Sequence, residues 1–359
     1  MKANITKIYY ILLTDAPGGA ENVILMMAKN REGKLIFARS NPISLNIPEN
    51  LETKYLSRNS ILLGLIKLIP ILGKLKKDEI VMSTHPYLNA ILGITKRIGY
   101  LKTQLIVREC TSVFSRFSGI KKLIYLLIYR LGYPAADLVV CQTELMKEQF
   151  LEHNSFIDQR RVLVQPNPVD LKRLKTLSQQ SLSDNEKQTE FICTAGRLIP
   201  EKGFDILIQA FKIVREENPN LELLILGEGP ERNKLNALIE NNNLQNAVIL
   251  KGHISNPAPY FKNAKICVVS SIKEGFPNVL LEMMSLNNAV ISTLCAGGIS
   301  SIPNITKVEV NNIKALANAI KNELLIIHKS DFNSNLDYLE KRSPAIFTTS
   351  ILNALIPQR

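Results

Sequence analysis

The chain lacks several features whose absence narrows what it can do. Its five cysteines, Cys110, Cys141, Cys193, Cys267 and Cys295, form no CxxC pair, so a zinc site has no support. Most lie in apolar, strand-like runs and read as buried thiols of a reducing cytosol. No stretch approaches the roughly 20 apolar residues that a membrane-crossing helix needs. The nearest, Ile61–Lys77, is interrupted by Lys67 and Pro70. The N-terminal apolar run meets Asp15, Pro17 and a Gly pair, which makes it a strand rather than a signal peptide. No short repeat is visible. The expectation is a soluble or peripheral cytoplasmic protein.

Acidic residues are scarce in one half only. Residues 1–175 hold 26 Lys and Arg against 14 Asp and Glu, whereas 176–359 hold 18 of each. The whole net charge of +12 therefore sits in the first half. It concentrates in "LLGLIKLIPILGKLKK" and in Ser115–Tyr133, where Lys and Arg interleave with Leu, Ile and Tyr. A basic amphipathic helix of this kind suits an anionic bilayer surface; two ordinary surface helices with solvated charges are the alternative. Nucleic acid is not expected as a partner, because no recognition motif or aromatic platform accompanies the charge.

What is present is a strand–helix alternation that occurs twice. A chain of 359 residues suits two domains of about 150–200 residues each. "KIYYILL", "KLIFARS", "EIVMSTH", "QLIVREC", "ADLVVCQ" and "RVLVQ" are strands separated by helical segments. After a polar stretch the pattern resumes with "EFICTAGRL", "LELLILGEG", "AVILKGH", "KICVVSS" and "NAVIST". Alternation of this kind predicts parallel sheets covered on both faces. The expected fold is α/β, with two doubly wound Rossmann-like domains facing a central cleft at the carboxyl ends of their strands. The expected boundaries are an N-terminal domain 1–170, a linker 171–190 and a C-terminal domain 191–340. Residues 341–359 are expected as a helix that packs back on the first domain.

Chemistry is expected at the strand-to-helix junctions of the second domain. "TAGRLIPEKGFD" places Arg197 and Lys202 in the loop after a strand, and two cations there could clamp a diphosphate; solvated loop charges are the other reading. "LGEGPER" places Gly227 and Gly229 at a helix start, where bare backbone can approach a ligand, although a plain tight turn has the same spelling. "KEGFPNVLLEMMS" has two carboxylates, Glu274 and Glu282, either side of a helix start. Pro277 suits the first turn, and the free N–H groups near Pro277–Leu280 would form an anion site. Glu282 is flanked by Leu281 and Met283 in a run that should be buried. A carboxylate there could accept from a vicinal diol such as a ribose. Helix start, diphosphate and diol together describe a nucleotide sugar.

Those segments, with "NPVD" at 167–170 and "GGAEN" after the first strand, resemble the retaining GT-B glycosyltransferases of family 4 (group 1), of the bacterial surface-polysaccharide type. The resemblance covers nearly the whole chain. It implies that Arg197 and Lys202 hold the donor diphosphate in place of a metal, so no metal or cofactor is expected. It implies further that Glu282 binds the ribose, Glu274 the donor sugar, and the backbone at Asn278–Val279 the phosphates. His253 and Ile254 would grip the base, and Gly18 and Gly19 would let the first-domain loop approach the sugar diphosphate. Many relatives carry an active-site histidine after a first-domain strand; here Arg108 and Glu109 stand in its place, and they are expected in the cleft as catalytic residues. His85, one strand earlier, is a further candidate for contact with acceptor or sugar, or else a satisfied loop histidine. The segment after "ISTLCAGG" is shorter than in many relatives, which puts the family's sugar contacts there in doubt.

The implied function is retaining transfer of a hexosyl or N-acetylhexosaminyl group, from a nucleotide-sugar donor expected to be a UDP-sugar. The acceptor would be a polyprenyl-diphosphate-linked glycan of O-antigen, capsule or exopolysaccharide assembly, on the inner face of the plasma membrane. A UDP-sugar 2-epimerase of the same fold, and a nonenzymatic basic protein, are the alternatives.

Overall fold

A computed structural model describes residues 7–31, 33–42, 44–110, 113, 118–183, 189–326 and 332–355. The chain divides into two units, Met1–Pro168 with Pro344–Arg359, and Val169–Ser343.

The first unit runs β1 (Ile8–Thr14), α1 (Gly19–Asn30), β2 (Gly33–Arg39), β3 (Thr53–Ser57), α2 (Ile61–Leu72), β4 (Ile80–Ser83) and α3 (Pro86–Arg97). It continues with β5 (Gln104–Arg108), α4 (Gly119–Gly132), β6 (Leu138–Cys141), α5 (Glu144–His153) and β7 (Val162–Val164). The sheet is parallel throughout, in the order β3-β2-β1-β4-β5-β6-β7. Strands such as "IVMS" and "LVVC" are wholly buried because helices cover both faces, so they read as unbroken apolar runs. Alternate residues sort by face. Ile11, Ile36, Val81, Val107 and Val139 share a core with α2, α3, α4 and α5. Tyr10, Leu12, Phe37, Met82 and Ile106 share one with α1 and the last helix. α3 and α4 approach closely enough that a Cβ on Gly93 would stand 2.1 Å from the Gly132 carbonyl oxygen.

The second unit starts earlier than the sequence suggests. Residues 171–190, expected as a linker, open with a helix, α6 (Leu171–Leu177). Asp170 caps it by accepting from the Arg173 N–H at 3.0 Å, and Leu174 is buried in the second unit's core. The polar composition of the stretch hid one cap and one apolar stripe. Residues 184–188 of the expected linker lie outside the described residues.

The unit proceeds through β8 (Phe191–Ala195), α7 (Phe204–Arg215), β9 (Glu222–Leu226), α8 (Arg232–Asn241), β10 (Val248–Gly252), α9 (Ala258–Asn263) and β11 (Ile266–Val269). It ends with α10 (Asn278–Met284), β12 (Val290–Thr293), β13 (Thr306–Val308), α11 (Ile313–Leu325) and α12 (Phe332–Glu340). Its sheet is again parallel, ordered β10-β9-β8-β11-β12-β13. The last helix, α13 (Pro344–Ala354), belongs to the first unit, where Phe347 and Ile351 join the core beside α1. In each sheet the strand order reverses once, between β1 and β4 and between β8 and β11, and the carboxyl ends flanking such a reversal are where open α/β sheets bind ligands. Among the described residues no helix is long and apolar enough to cross a membrane.

Candidate active site

Four loops at the carboxyl edge of the second sheet are fastened to one another through their backbones. After β8 the chain makes a single 3-10 turn, Pro200–Lys202, closed by Gly203 at φ +60°. A Cβ on Gly203 would stand 2.3 Å from the Ser270 carbonyl oxygen, so both the conformation and the space require glycine. The loop after β11 is buttoned to this turn. Ser270 Oγ donates to the Lys202 carbonyl at 2.9 Å, and the Ile272 N–H donates to the Glu201 carbonyl at 2.8 Å.

The loop after β9 closes from the other side. The Leu198 N–H donates to the Glu228 carbonyl at 2.9 Å, and the Glu231 N–H returns to the Leu198 carbonyl at 3.0 Å. A Cβ on Gly227 would lie 1.8 Å from the Gly196 carbonyl oxygen, and one on Gly229 would lie 2.4 Å from that of Leu198. Both glycines are therefore required by loop-to-loop contact. That is a different use from the open approach to a ligand expected of them. The loop after β10 joins through the Gly227 N–H to the Gly252 carbonyl at 2.8 Å.

This lacing brings Lys202 and Glu274, 72 residues apart in sequence, into a salt bridge of 2.8 Å. Ser271 Oγ donates to the same carboxylate oxygen, and the Glu274 N–H donates to the Cys295 carbonyl at 2.8 Å. Thr293 Oγ1, at the end of β12, donates to the Ser271 carbonyl at 2.5 Å. Lys202 and Glu274 both keep part of their side-chain surface open. Arg197 and His253 are exposed, and the Arg197 guanidinium has no polar partner among the described residues. Ile254 packs against the core.

α10 begins one residue later than the sequence suggests. Pro277 is its N-cap, at φ −78° and ψ 97°, and Asn278 and Val279 open the helix. Leu280, Leu281, Met283 and Met284 are buried, which leaves Glu282 half-buried on the remaining face. Burial pushes its carboxyl up to about 7, and the nearby Arg173 partly opposes that shift. Desolvation penalises the charged form more than one cation restores it.

The carboxyl edge of the first sheet differs. Gly18 caps α1 and Gly19 opens it, and the Glu21 carboxylate folds back to within 2.3 Å of where a Gly18 Cβ would stand. His85 caps α3 and places Nε2 3.1 Å from Glu21 Oε1. Its Nδ1 is buried without a hydrogen-bond partner.

Arg108 and Glu109, expected to line the cleft, are instead buried in the protein. Arg108 donates to Asn167 Oδ1 at 2.6 Å and to Cys110 Sγ at 2.7 Å. Glu109 accepts from the Tyr129 hydroxyl at 2.5 Å, from the Tyr133 hydroxyl, and from Asn89 Nδ2 at 3.4 Å. Burial pushes its carboxyl up, and the two phenols pull it back. The physical reason is the tyrosine stripe of α4, which supplies buried donors that only an interior acceptor can satisfy. Ser271, Thr293 and Glu21 were not anticipated. Ser271 alone left a local signal, a hydroxyl three residues before a carboxylate at a strand end.

Known proteins carry the same pattern. The family described as Glycosyl transferases group 1 matches residues 176–331. A 4-alpha-N-acetylgalactosaminyltransferase of Campylobacter jejuni, named for an N-acetylgalactosamine-N,N'-diacetylbacillosaminyl-diphospho-undecaprenol acceptor, is 31% identical over 293 residues, 77% of this chain and 77% of its own. An uncharacterized glycosyltransferase of Methanocaldococcus jannaschii is 36% identical over 215 residues, 59% of this chain and 52% of its own, so the match spans about half of that relative. Among solved structures, the Anabaena protein HepE in complex with UDP-glucose superposes with a TM-score of 0.78 at 16% identity, covering 97% of this chain and 99% of that one. The structural likeness identifies the fold as GT-B.

Proposed function

The chain belongs to the group 1 glycosyltransferases, and from that premise we propose that it is a retaining transferase of family 4, moving a hexosyl or N-acetylhexosaminyl group from a UDP-sugar to a polyprenyl-diphosphate-linked glycan. The observation that carries this reading is the Lys202–Glu274 pair with Ser271 beside it, held by four interlocked loops at the strand ends of the second sheet. A rigid cation at that place stabilises charge that develops on a departing diphosphate, without reorganising during the reaction. Lys202 and Arg197 take the diphosphate in the role a metal plays elsewhere. Glu274 meets the donor sugar, and Glu282 accepts from the ribose hydroxyls.

In the reaction the bond from the anomeric carbon to the diphosphate oxygen breaks while the bond to the acceptor oxygen forms on the same face. The acceptor's proton passes to the leaving phosphate oxygen. The UDP-glucose bound by the Anabaena protein supports the choice of donor. The diphospho-undecaprenol acceptor in the Campylobacter relative's name supports the lipid-linked acceptor, and with it the setting of O-antigen, capsule or exopolysaccharide assembly. Such an acceptor is anchored in a membrane, and the basic first unit meets the anionic cytoplasmic face.

The test is a thermal-shift panel of UDP-, GDP- and dTDP-sugars on the wild type and on Lys202→Ala. A UDP-sugar should stabilise the wild type, and the variant should lose most of that shift. If no nucleotide sugar stabilises the protein, the donor assignment fails. Proton NMR of the product's anomeric coupling then decides retention against inversion.

A further inference from the structure

α2 and α4 carry their hydrophobic residues on both sides. The inner sides join the core under the first sheet through Leu68 and Leu72 of α2 and Tyr125 and Tyr129 of α4. The outer sides are apolar as well. On α4, Ile120, Leu123, Ile124, Leu127 and Leu131 recur at helical spacing and are 43–77% exposed. On α2, Leu62, Leu63, Ile66 and Ile69 do the same at 46–69%. Nine large apolar side chains facing outward on two helices of one core are far from the scattered exposure of an ordinary surface.

The charges on these helices have one sign. Lys67 lies on α2, and Lys74, Lys76 and Lys77 follow it; Lys121, Lys122 and Arg130 lie on α4. Neither Ile61–Leu72 nor Gly119–Gly132 contains an Asp or Glu. An apolar stripe bordered only by cations complements a surface with an apolar interior and an anionic rim. A second copy of the chain would bring the same cations against these, and nucleic acid offers phosphates but no apolar layer for the stripes. A phospholipid bilayer offers both.

We propose that α2 and α4 together form an insertion surface, whose outer leucines and isoleucines enter the acyl boundary of the bilayer while Lys67, Lys121, Lys122 and Arg130 lie at the headgroups. Attachment is driven by burial of the apolar stripes, and the charge tunes it. The proposal takes its purpose from the lipid-linked acceptor of the proposed function, and its geometry from exposure and charge alone. A purely electrostatic attachment would vanish in high salt and on neutral lipid; an inserted one survives both in part.

The experiment is vesicle sedimentation with neutral phosphatidylcholine vesicles, and with the same vesicles containing phosphatidylglycerol, at low and high salt. Wild type, Leu123→Asp/Leu127→Asp and Lys121→Gln/Lys122→Gln are compared. The substituted positions are exposed, so all three should keep their melting temperature and their UDP-sugar thermal shift. The aspartate variant should lose binding by at least about tenfold on both vesicle types at either salt. The glutamine variant should lose it only on anionic vesicles at low salt.

Unchanged binding of the aspartate variant, or wild-type binding confined to anionic vesicles at low salt, overturns insertion. A wild-type dimer in sedimentation velocity that the aspartate variant splits assigns the face to a second copy, and also overturns it. Transfer to a detergent-solubilised acceptor reads the proposed function separately. Activity there without vesicle binding sinks the insertion surface alone, and loss of nucleotide-sugar binding sinks the donor reading alone.

Discussion

At the end of β5, Arg108 and Glu109 are bonded to the protein around them, whereas at the ends of β8 and β11, Arg197, Lys202 and Glu274 remain partly or wholly open. The residue types are the same, and both groups follow parallel strands. What differs is how each edge satisfies its polar groups. In the first unit buried side chains do it, namely Asn89, Asn167, Tyr129 and Tyr133. In the second unit backbone does most of it: loops bond to loops through N–H and C=O groups, which leaves charged side chains for a ligand. A strand-end charge becomes a candidate for chemistry when the backbone around it needs nothing from it.

That contrast is open to attack from both sides. Lys202→Ala should lower turnover about 10²–10³-fold and leave the melting temperature almost unchanged, since Lys202 anchors no loop through its side chain. Glu109→Ala should do the reverse. It leaves two phenols and an amide without their acceptor inside the core, at a cost of about 3 kcal/mol, read as a lowered midpoint in urea. If Glu109→Ala instead folds normally and loses activity, the acid belongs to the chemistry and the contrast collapses.

Gly203→Ala tests the lacing itself. A residue forced to φ +60° with its Cβ against the Ser270 carbonyl should cost roughly 1–3 kcal/mol. Part of the loss should appear as weaker UDP binding in calorimetry, because Lys202 moves with the turn.

Glu282 gives a pH signature. Its carboxyl is raised above its ordinary value to about 7, so its ionisation costs stability as pH rises from about 4.5 through 7 and leaves stability unaffected below that window. A ribose diol donates to the ionised form. UDP affinity should therefore climb by up to about tenfold per unit as pH approaches 7 from below, and level off above it. The wild-type profile minus that of Glu282→Gln isolates this from the titration of the phosphate. A flat difference would remove Glu282 from the ribose. The smallest expected effect is that of EDTA: with Lys202 and Arg197 carrying the diphosphate, rates with and without chelator should agree within error.

Much of the second unit's edge was legible because its signals are local. Gly203, Gly227 and Gly229 mark tight backbone at strand ends, and Lys202 and Glu274 each stand a few residues beyond a strand. The reason for the glycines was not legible, since the carbonyls they avoid, those of Gly196, Leu198 and Ser270, come from other loops. The first unit's edge misled for a related reason. Nothing near Arg108 and Glu109 announces burial; the tyrosines that claim Glu109 lie 20 and 24 residues later. The helix at Leu171–Leu177 was hidden by its polar neighbours, although Asp170 was a readable cap.

The sequence by itself determined the two strand–helix series, the parallel sheets, the skew of positive charge to one half and the strand-end positions of the charged residues. All of these follow from periodicity and composition, which are local. Only the tertiary structure decided which charges are open and which are enclosed, that Lys202 meets Glu274, and that α2 and α4 are apolar on their outer sides as well as their inner ones. Those outcomes depend on what packs against each side chain from far along the chain, and burial, not residue type, decides whether a charge needs a partner in the protein or keeps its capacity for a ligand.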